Sequence, residues 1–210
     1  MGTRDWFRKQ TWKNADQIDF NTRLARARAS NRSQYLRVQA ATLAEVGLHA
    51  NALELLDRYF QTHQDSIDLA QAWLQRAESS AALGNIESAV EAYRMSLQAQ
   101  RILPNVQTNA WLNYPWFVLE NELERLYAEA MEVLSEFQCP LLFPIQEYRY
   151  YGSLALLEQW VGRLESAMMH ARNAIEASEQ THSKFPRHTT LGLVSSNVSQ
   201  LHHRLVSLVS

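Results

Sequence analysis

The sequence is poor in the residues that interrupt helices or tie distant parts of a chain together. Six glycines and five prolines in 210 residues leave little material for turns. Ala, Leu, Gln, Glu and Arg, all good helix formers, fill the space instead. A single cysteine, Cys139, excludes an internal disulfide, so the fold asks for no oxidising compartment. It lies in Phe137-Gln138-Cys139-Pro140-Leu141 with no neighbouring cation, and is expected as apolar filler and not as a reactive thiol. No stretch approaches the roughly 18 uncharged apolar residues of a membrane span. The opening residues Met1-Gly2-Thr3-Arg4-Asp5-Trp6 carry charges and no secretory apolar region. Trp6 stands where an acylation signal at Gly2 wants Ser or Thr. A cytoplasmic protein with no membrane partner is the expectation.

Motifs that build active sites are also missing: HExxH, paired cysteines, GxGxxG and GxxxxGK[ST]. No cofactor, no metal and no catalytic residue is expected, and binding is favoured over catalysis. The histidines are the one temptation. His182, His188, His202 and His203 fall near one another in sequence, and a neutral pair such as His182 and His188 can ligate zinc. Their spacing matches no ligand set, and adjacent helical residues point about 100° apart. An enzymatic reading would need His182, His188 and a carboxylate in one pocket. The loop Thr181 to Val194 is expected to pack against the helices before it.

Charge is uneven. Residues 1–37 hold nine Lys or Arg against three Asp, a net of +6, while the remainder carries −8. Glu120, Glu122, Glu124, Glu129, Glu132 and Glu136 are the densest acidic run. A basic arm can serve an acidic partner, or it can answer the protein's own carboxylates. The second is favoured, because exposed charges are common and screened. Nucleic acid would draw on Arg23, Arg26, Arg28, Arg32 and Arg37 with Trp6, Phe7 and Trp12 as stacking groups. A slightly acidic chain ranks this below protein as a partner.

What the sequence does have is repetition. Gly47 and Gly84 are 37 residues apart, as are Ala52 and Ala89, and a third copy follows at Gly162 and Ala167. Gly84 and Gly162 are 78 residues apart, so a degenerate unit is expected between them. Each glycine is placed to end one helix in the left-handed conformation. The alanine five residues later suits the close approach of the next helix. Apolar residues then recur at helical period, as in Ala52, Leu53, Leu56, Tyr59 and Phe60, or Ile86, Ala89, Val90, Tyr93 and Leu97. One hairpin cannot bury such a stripe alone, so neighbours stack.

These residues resemble the tetratricopeptide repeat, best in the unit with Trp73, Ala77, Gly84, Ala89 and Tyr93. As a whole the chain also resembles short stand-alone bacterial repeat proteins, which implies a bacterial source. The resemblance implies an all-α, right-handed α-solenoid of antiparallel helix pairs, about nine or ten helices with a capping helix at each end. The chain divides as one domain into an arm and capping helix (1–32), repeat 1 (33–66), repeat 2 (67–104), a degenerate pair (105–144), repeat 3 (145–183) and a loop with a terminal helix (184–210). In the degenerate pair Leu112, Trp116, Leu119, Leu126 and Leu134 keep helical period but no glycine marks the turn, and Pro140 and Pro144 bar continuation.

At the ends, Asp16 is expected to cap a helix running to about Arg28, with Trp6, Phe7 and Trp12 folded back on the first hairpin. Val198, Leu201, Leu205 and Leu208 make the stripe of a closing helix capped at Ser195 or Ser196. Trp111, Tyr114 and Trp116 offer a homodimer face or fill the middle hairpin, and burial is favoured.

In the family, first-helix residues line a groove that receives an extended peptide or a partner helix. By that resemblance the groove positions are Gln34, Arg37, Val38, Ala41 and Glu45, then Gln71, Leu74, Gln75, Glu78 and Ala82, then Arg149, Ser153, Leu156 and Trp160. Only Arg37 and Arg149 carry the charge of a carboxylate clamp, and Ala41 stands where the clamp has Asn, so a C-terminal carboxylate ligand is not expected. The leading expectation is a protein-interaction module, an adaptor or regulatory subunit. The alternative is an inhibitor or immunity-type protein whose acidic run from Glu120 to Glu136 mimics a polyanion.

Overall fold

The computed structural model describes residues 5–62, 67–137, 139–195 and 200–210. Ten α-helices and one short 3-10 helix make up its regular structure, with no strand among the described residues. The chain forms two compact units that divide between Ala110 and Trp111.

The first unit holds α1 (Asn14–Arg26), α2 (Ala29–Glu45), α3 (His49–Thr62), α4 (Leu69–Ala82) and α5 (Ile86–Ile102). Helix α2 packs on α3 and α4 on α5, while α4 also meets α3 and α2. Phe20, Leu36, Leu43, Leu55, Leu56 and Tyr59 form its core, and Ala40 and Ala52 fill the places where helix backbones come close. Between α4 and α5 the buried Ser96 hydroxyl donates to the Ala70 carbonyl at 2.7 Å.

The second unit holds α6 (Ala110–Glu120), the 3-10 turn Glu124–Leu126, α7 (Tyr127–Glu136), α8 (Pro144–Trp160), α9 (Leu164–Ser178) and α10 (Gln200–Val209). Helix α8 packs on α9, α10 packs on both, and α7 meets α8. Pro144 opens α8, where its missing N–H costs nothing, and the Gln146 side chain accepts the N–H groups of Leu142 and Phe143 at 2.9 and 3.2 Å. Trp111, Tyr114 and Trp116 are all buried, which removes them as an exposed dimer face. A side chain at Gly152 would stand 2.9 Å from the Trp116 ring and 3.2 Å from Leu205, so the bare backbone of α8 is what lets α6 and α10 close on it. Leu201 and Leu205 bury α10 as its stripe predicts, while Val198 and Ser196 lie outside the described residues.

One turn recurs through both units. Gly47, Gly84 and Gly162 have φ of +80°, +74° and +81°. Each donates its N–H three residues back, to Ala44, Ala81 and Gln159, at 2.9–3.0 Å. The following residue donates five back, Leu48 to Leu43, Asn85 to Ser80 and Arg163 to Glu158, each at 2.9 Å. Carbonyls freed at a helix end are satisfied this way. The degenerate unit makes the same turn with no glycine. Glu122 takes φ +52°, its N–H reaches Leu119 at 3.2 Å and that of Leu123 reaches Val118 at 3.0 Å. Five residues on, where the other turns place a buried alanine, stands Tyr127, and α7 begins only after the 3-10 turn.

The strain at Glu122 and its absence at the glycines give opposite predictions. Glu122→Gly should stabilise the protein by about 0.5–1 kcal/mol, because a left-handed L-residue costs more than glycine loses in chain entropy. No atom lies within 4 Å of a Cβ built at Gly84, so Gly84→Ala should destabilise by about 1 kcal/mol through backbone strain alone. Chemical denaturation of the two variants checks this, and a destabilised Glu122→Gly would refute the equivalence of the turns.

Candidate functional site

The positions expected to line a groove divide by burial. On α2, Gln34 and Glu45 are exposed, and Val38 and Ala41 are half-buried. On the neighbouring α4, Glu78 and Ala82 are exposed and Gln71 and Gln75 half-buried. Leu74 is 4 % exposed and belongs to the core, and so do Ser153 and Leu156 of α8. These three are side chains of packing and offer a partner no surface, because their helical positions face the adjoining helix. Arg37 is engaged within the fold: its guanidinium lies 3.3 Å from Asp68, the residue that precedes α4. Arg149 donates to the Asn113 side chain at 2.6 Å. Trp160 remains 49 % exposed, with its ring edge-on to Tyr127.

The concavity that α3, α4 and α5 do form lies elsewhere, in an open cleft of about 510 Å³. Each helix supplies a pair of lining residues three apart, Asp57 and Phe60 from α3, Trp73 and Arg76 from α4, Ser88 and Glu91 from α5, and Gln61 and Ala92 complete the lining. That spacing puts both members of a pair on one helix face. Phe60 and Trp73 stack with ring centroids 4.0 Å apart and planes 26° from parallel. The Arg76 guanidinium sits 5.7 and 5.9 Å from the two ring centres and is held by an ion pair with Asp57. Glu91 is exposed and makes no hydrogen bond or ion pair among the described residues. The sequence pattern puts Phe60 on the apolar stripe of its helix and Trp73 at the aromatic start of its repeat. The paired i, i+3 spacing on three successive helices was the available signal for the cleft.

Part of the basic arm is engaged within the fold. Lys9 bridges Asp19 at 2.9 Å and Asp16 at 3.8 Å, and Arg23 pairs with Asp19 at 2.8 Å. Arg32 reaches back from α2 to the carbonyls of Ala25 and Ala27 at 2.8 and 3.1 Å, closing the end of α1. That helix stops at Arg26, short of Arg28, because Ala27 turns extended. Buried Gln39 clasps the backbone of Lys9 from both sides, donating to its carbonyl at 2.8 Å and accepting its N–H at 2.9 Å. Trp6 and Trp12 pack on Phe20, and Trp6 and Phe7 on Tyr35. The rings that could stack on bases are thereby committed, while Arg4 lies outside the described residues.

Other candidate chemistry disperses. Asp16 is the third residue of α1, its carboxylate accepting the Lys13 N–H at 3.0 Å; Lys13, not Asp16, is the cap. His182 and His188 are exposed, and no group of three His, Cys, Asp or Glu able to hold a metal exists among the described residues. Their loop packs on the start of α8, with Phe185 5.2 Å from Phe143, Gly192 accepting the Ile145 N–H at 2.8 Å and Lys184 pairing with Glu147. Burial raises the pKa of Cys139, which keeps it a thiol. No helix among the described residues is long and apolar enough to cross a membrane. Comparison with protein-family models, curated proteins and solved structures found no match.

The arm's clamp is acid-labile. A hydrogen bond from the Thr11 hydroxyl holds the Asp16 carboxyl below its ordinary value of 3.8, and Lys9 and Arg23 do the same for Asp19. A lowered folded-state value means the stabilisation is present above the unfolded value and is lost as pH falls through the folded one. Emission from Trp6 and Trp12, isolated by subtracting a Trp6→Phe, Trp12→Phe variant, should be constant from neutral pH to about 4 and change below it. The Asp16→Asn, Asp19→Asn variant should show the altered emission already at neutral pH. An unaltered spectrum in that variant would dismiss the clamp.

Proposed function

We propose that this chain is a protein-interaction module of the tetratricopeptide-like kind, a right-handed solenoid of antiparallel helix pairs that binds a peptide, helix or loop of another protein. Its work is recognition and not catalysis, as an adaptor or regulatory subunit in a bacterial cytoplasm. The observation that carries this reading is the single turn geometry repeated at Gly47, Gly84, Glu122 and Gly162, at intervals of 37, 38 and 40 residues. Repeats of that length add one hairpin at a time and expose long continuous faces, which suits the binding of extended segments. The exposed part of the expected surface in the first unit is Gln34 and Glu45 on α2 and Glu78 and Ala82 on α4, flanked by half-buried Val38 and Gln71.

A second reading, an inhibitor of a toxin or enzyme, draws on the acidic run. Glu120, Glu122, Glu124, Glu132 and Glu136 are all exposed, from the end of α6 through the turn and along α7, where they can stand in for a polyanionic substrate. The basic arm's internal commitments leave less support for nucleic acid as a partner.

Capture from lysate of the native host separates these. A variant with Gln34→Glu and Glu45→Lys changes two exposed side chains that make no hydrogen bond or ion pair among the described residues, so its melting temperature should equal that of wild type. The partner retained by wild type should be lost by this variant. Retention by it, with loss on replacing Glu124, Glu132 and Glu136 by Gln, would move the conclusion to the inhibitor reading.

A further inference from the structure

We infer that the cleft between α3, α4 and α5 seats a basic side chain of an extended peptide segment from a partner protein. The inference rests on the reading of the chain as a binder of polypeptide, and it places recognition on a face other than the α2–α4 surface. Charge selects the occupant. Of the three ionised side chains lining the cleft among the described residues, Arg76 and Asp57 neutralise each other, which leaves Glu91 as a carboxylate with no hydrogen bond or ion pair among those residues. An incoming anion meets two carboxylates and one guanidinium already engaged. An arginine or lysine instead meets Glu91, and the paired rings of Phe60 and Trp73 offer its aliphatic stem an apolar wall.

The remaining chemistry fits main chain better than a free cation. Arg76 has five N–H donors and its ion pair leaves some of them available, while Gln61 and Ser88 bring an amide and a hydroxyl to the same rim. Donors and acceptors of this kind can serve the groups of a peptide backbone. A volume of about 510 Å³ is also in the range of pockets that hold a small ligand, the size of one long side chain with its flanking main chain.

The test uses the full chain with the Trp73 indole resonance as reporter, titrated with the blocked pentapeptide Ala-Gly-Arg-Gly-Ala and its counterpart with Glu at the centre. The arginine peptide should shift Trp73 to saturation and the glutamate peptide should leave it in place. Glu91→Gln, at an exposed position, should keep the melting temperature and weaken the arginine peptide by about tenfold, the loss of one charge-assisted hydrogen bond. Equal binding of both peptides, an unshifted Trp73, or unchanged affinity in Glu91→Gln would each overturn the assignment. Arginine amide binding as tightly as the pentapeptide would overturn its peptide character. Should the pentapeptide fail while the α2 variant still loses its captured partner, only the cleft falls. Should the pentapeptide bind while capture ignores α2, the groove reading falls instead.

Discussion

Each hairpin turn is closed by one residue in the left-handed conformation, whose N–H and that of its successor take the carbonyls freed at the end of the preceding helix. Everything downstream is indexed to that residue. It sets where the next helix begins, and so which side chain, five positions on, stands where two backbones meet. Alanine there, as at Ala52, Ala89 and Ala167, allows close approach. Tyr127 does not, and the chain spends three residues in a 3-10 turn before α7 starts. Turn geometry is conserved along the molecule while the residue that makes it is not.

This is why the sequence discloses some turns and hides another. Glycine is a visible mark of a left-handed position, so Gly47, Gly84 and Gly162 are readable at sight. Glutamate is not. The 78-residue interval announces that a unit lies between Gly84 and Gly162, yet nothing local singles out Glu122. The helices, their apolar stripes and the burial of α10 follow from periodicity alone. The groove positions read less well, because a repeat pattern places a residue on a helix without saying how far its neighbour covers it. Leu74 and Ser153 are core for that reason. The cleft escaped because an aromatic at helical spacing is more often core than surface: Tyr59 is fully buried, while Phe60 beside it lines the opening.

Charge in the first unit is settled largely between neighbours in space. Asp19 serves both Lys9 and Arg23, Asp68 serves Arg37, and Asp57 serves Arg76. Exposed pairs of this kind add little stability. Lys9 and Arg23 pair with carboxylates already counted in the net charge of +6 over residues 1–37, so that excess persists, and Arg37 meets an acid from outside the segment in Asp68.

Arg32 closes α1 from α2, and Gln39 clasps Lys9 across thirty residues of chain. During synthesis, which adds roughly 5–20 residues per second, the segment around Trp6 leaves the ribosome well before Gln39 can receive it. The nascent arm therefore spends seconds with three aromatic rings in water, and it is assembled backwards, onto α2, once that helix has cleared the ribosome.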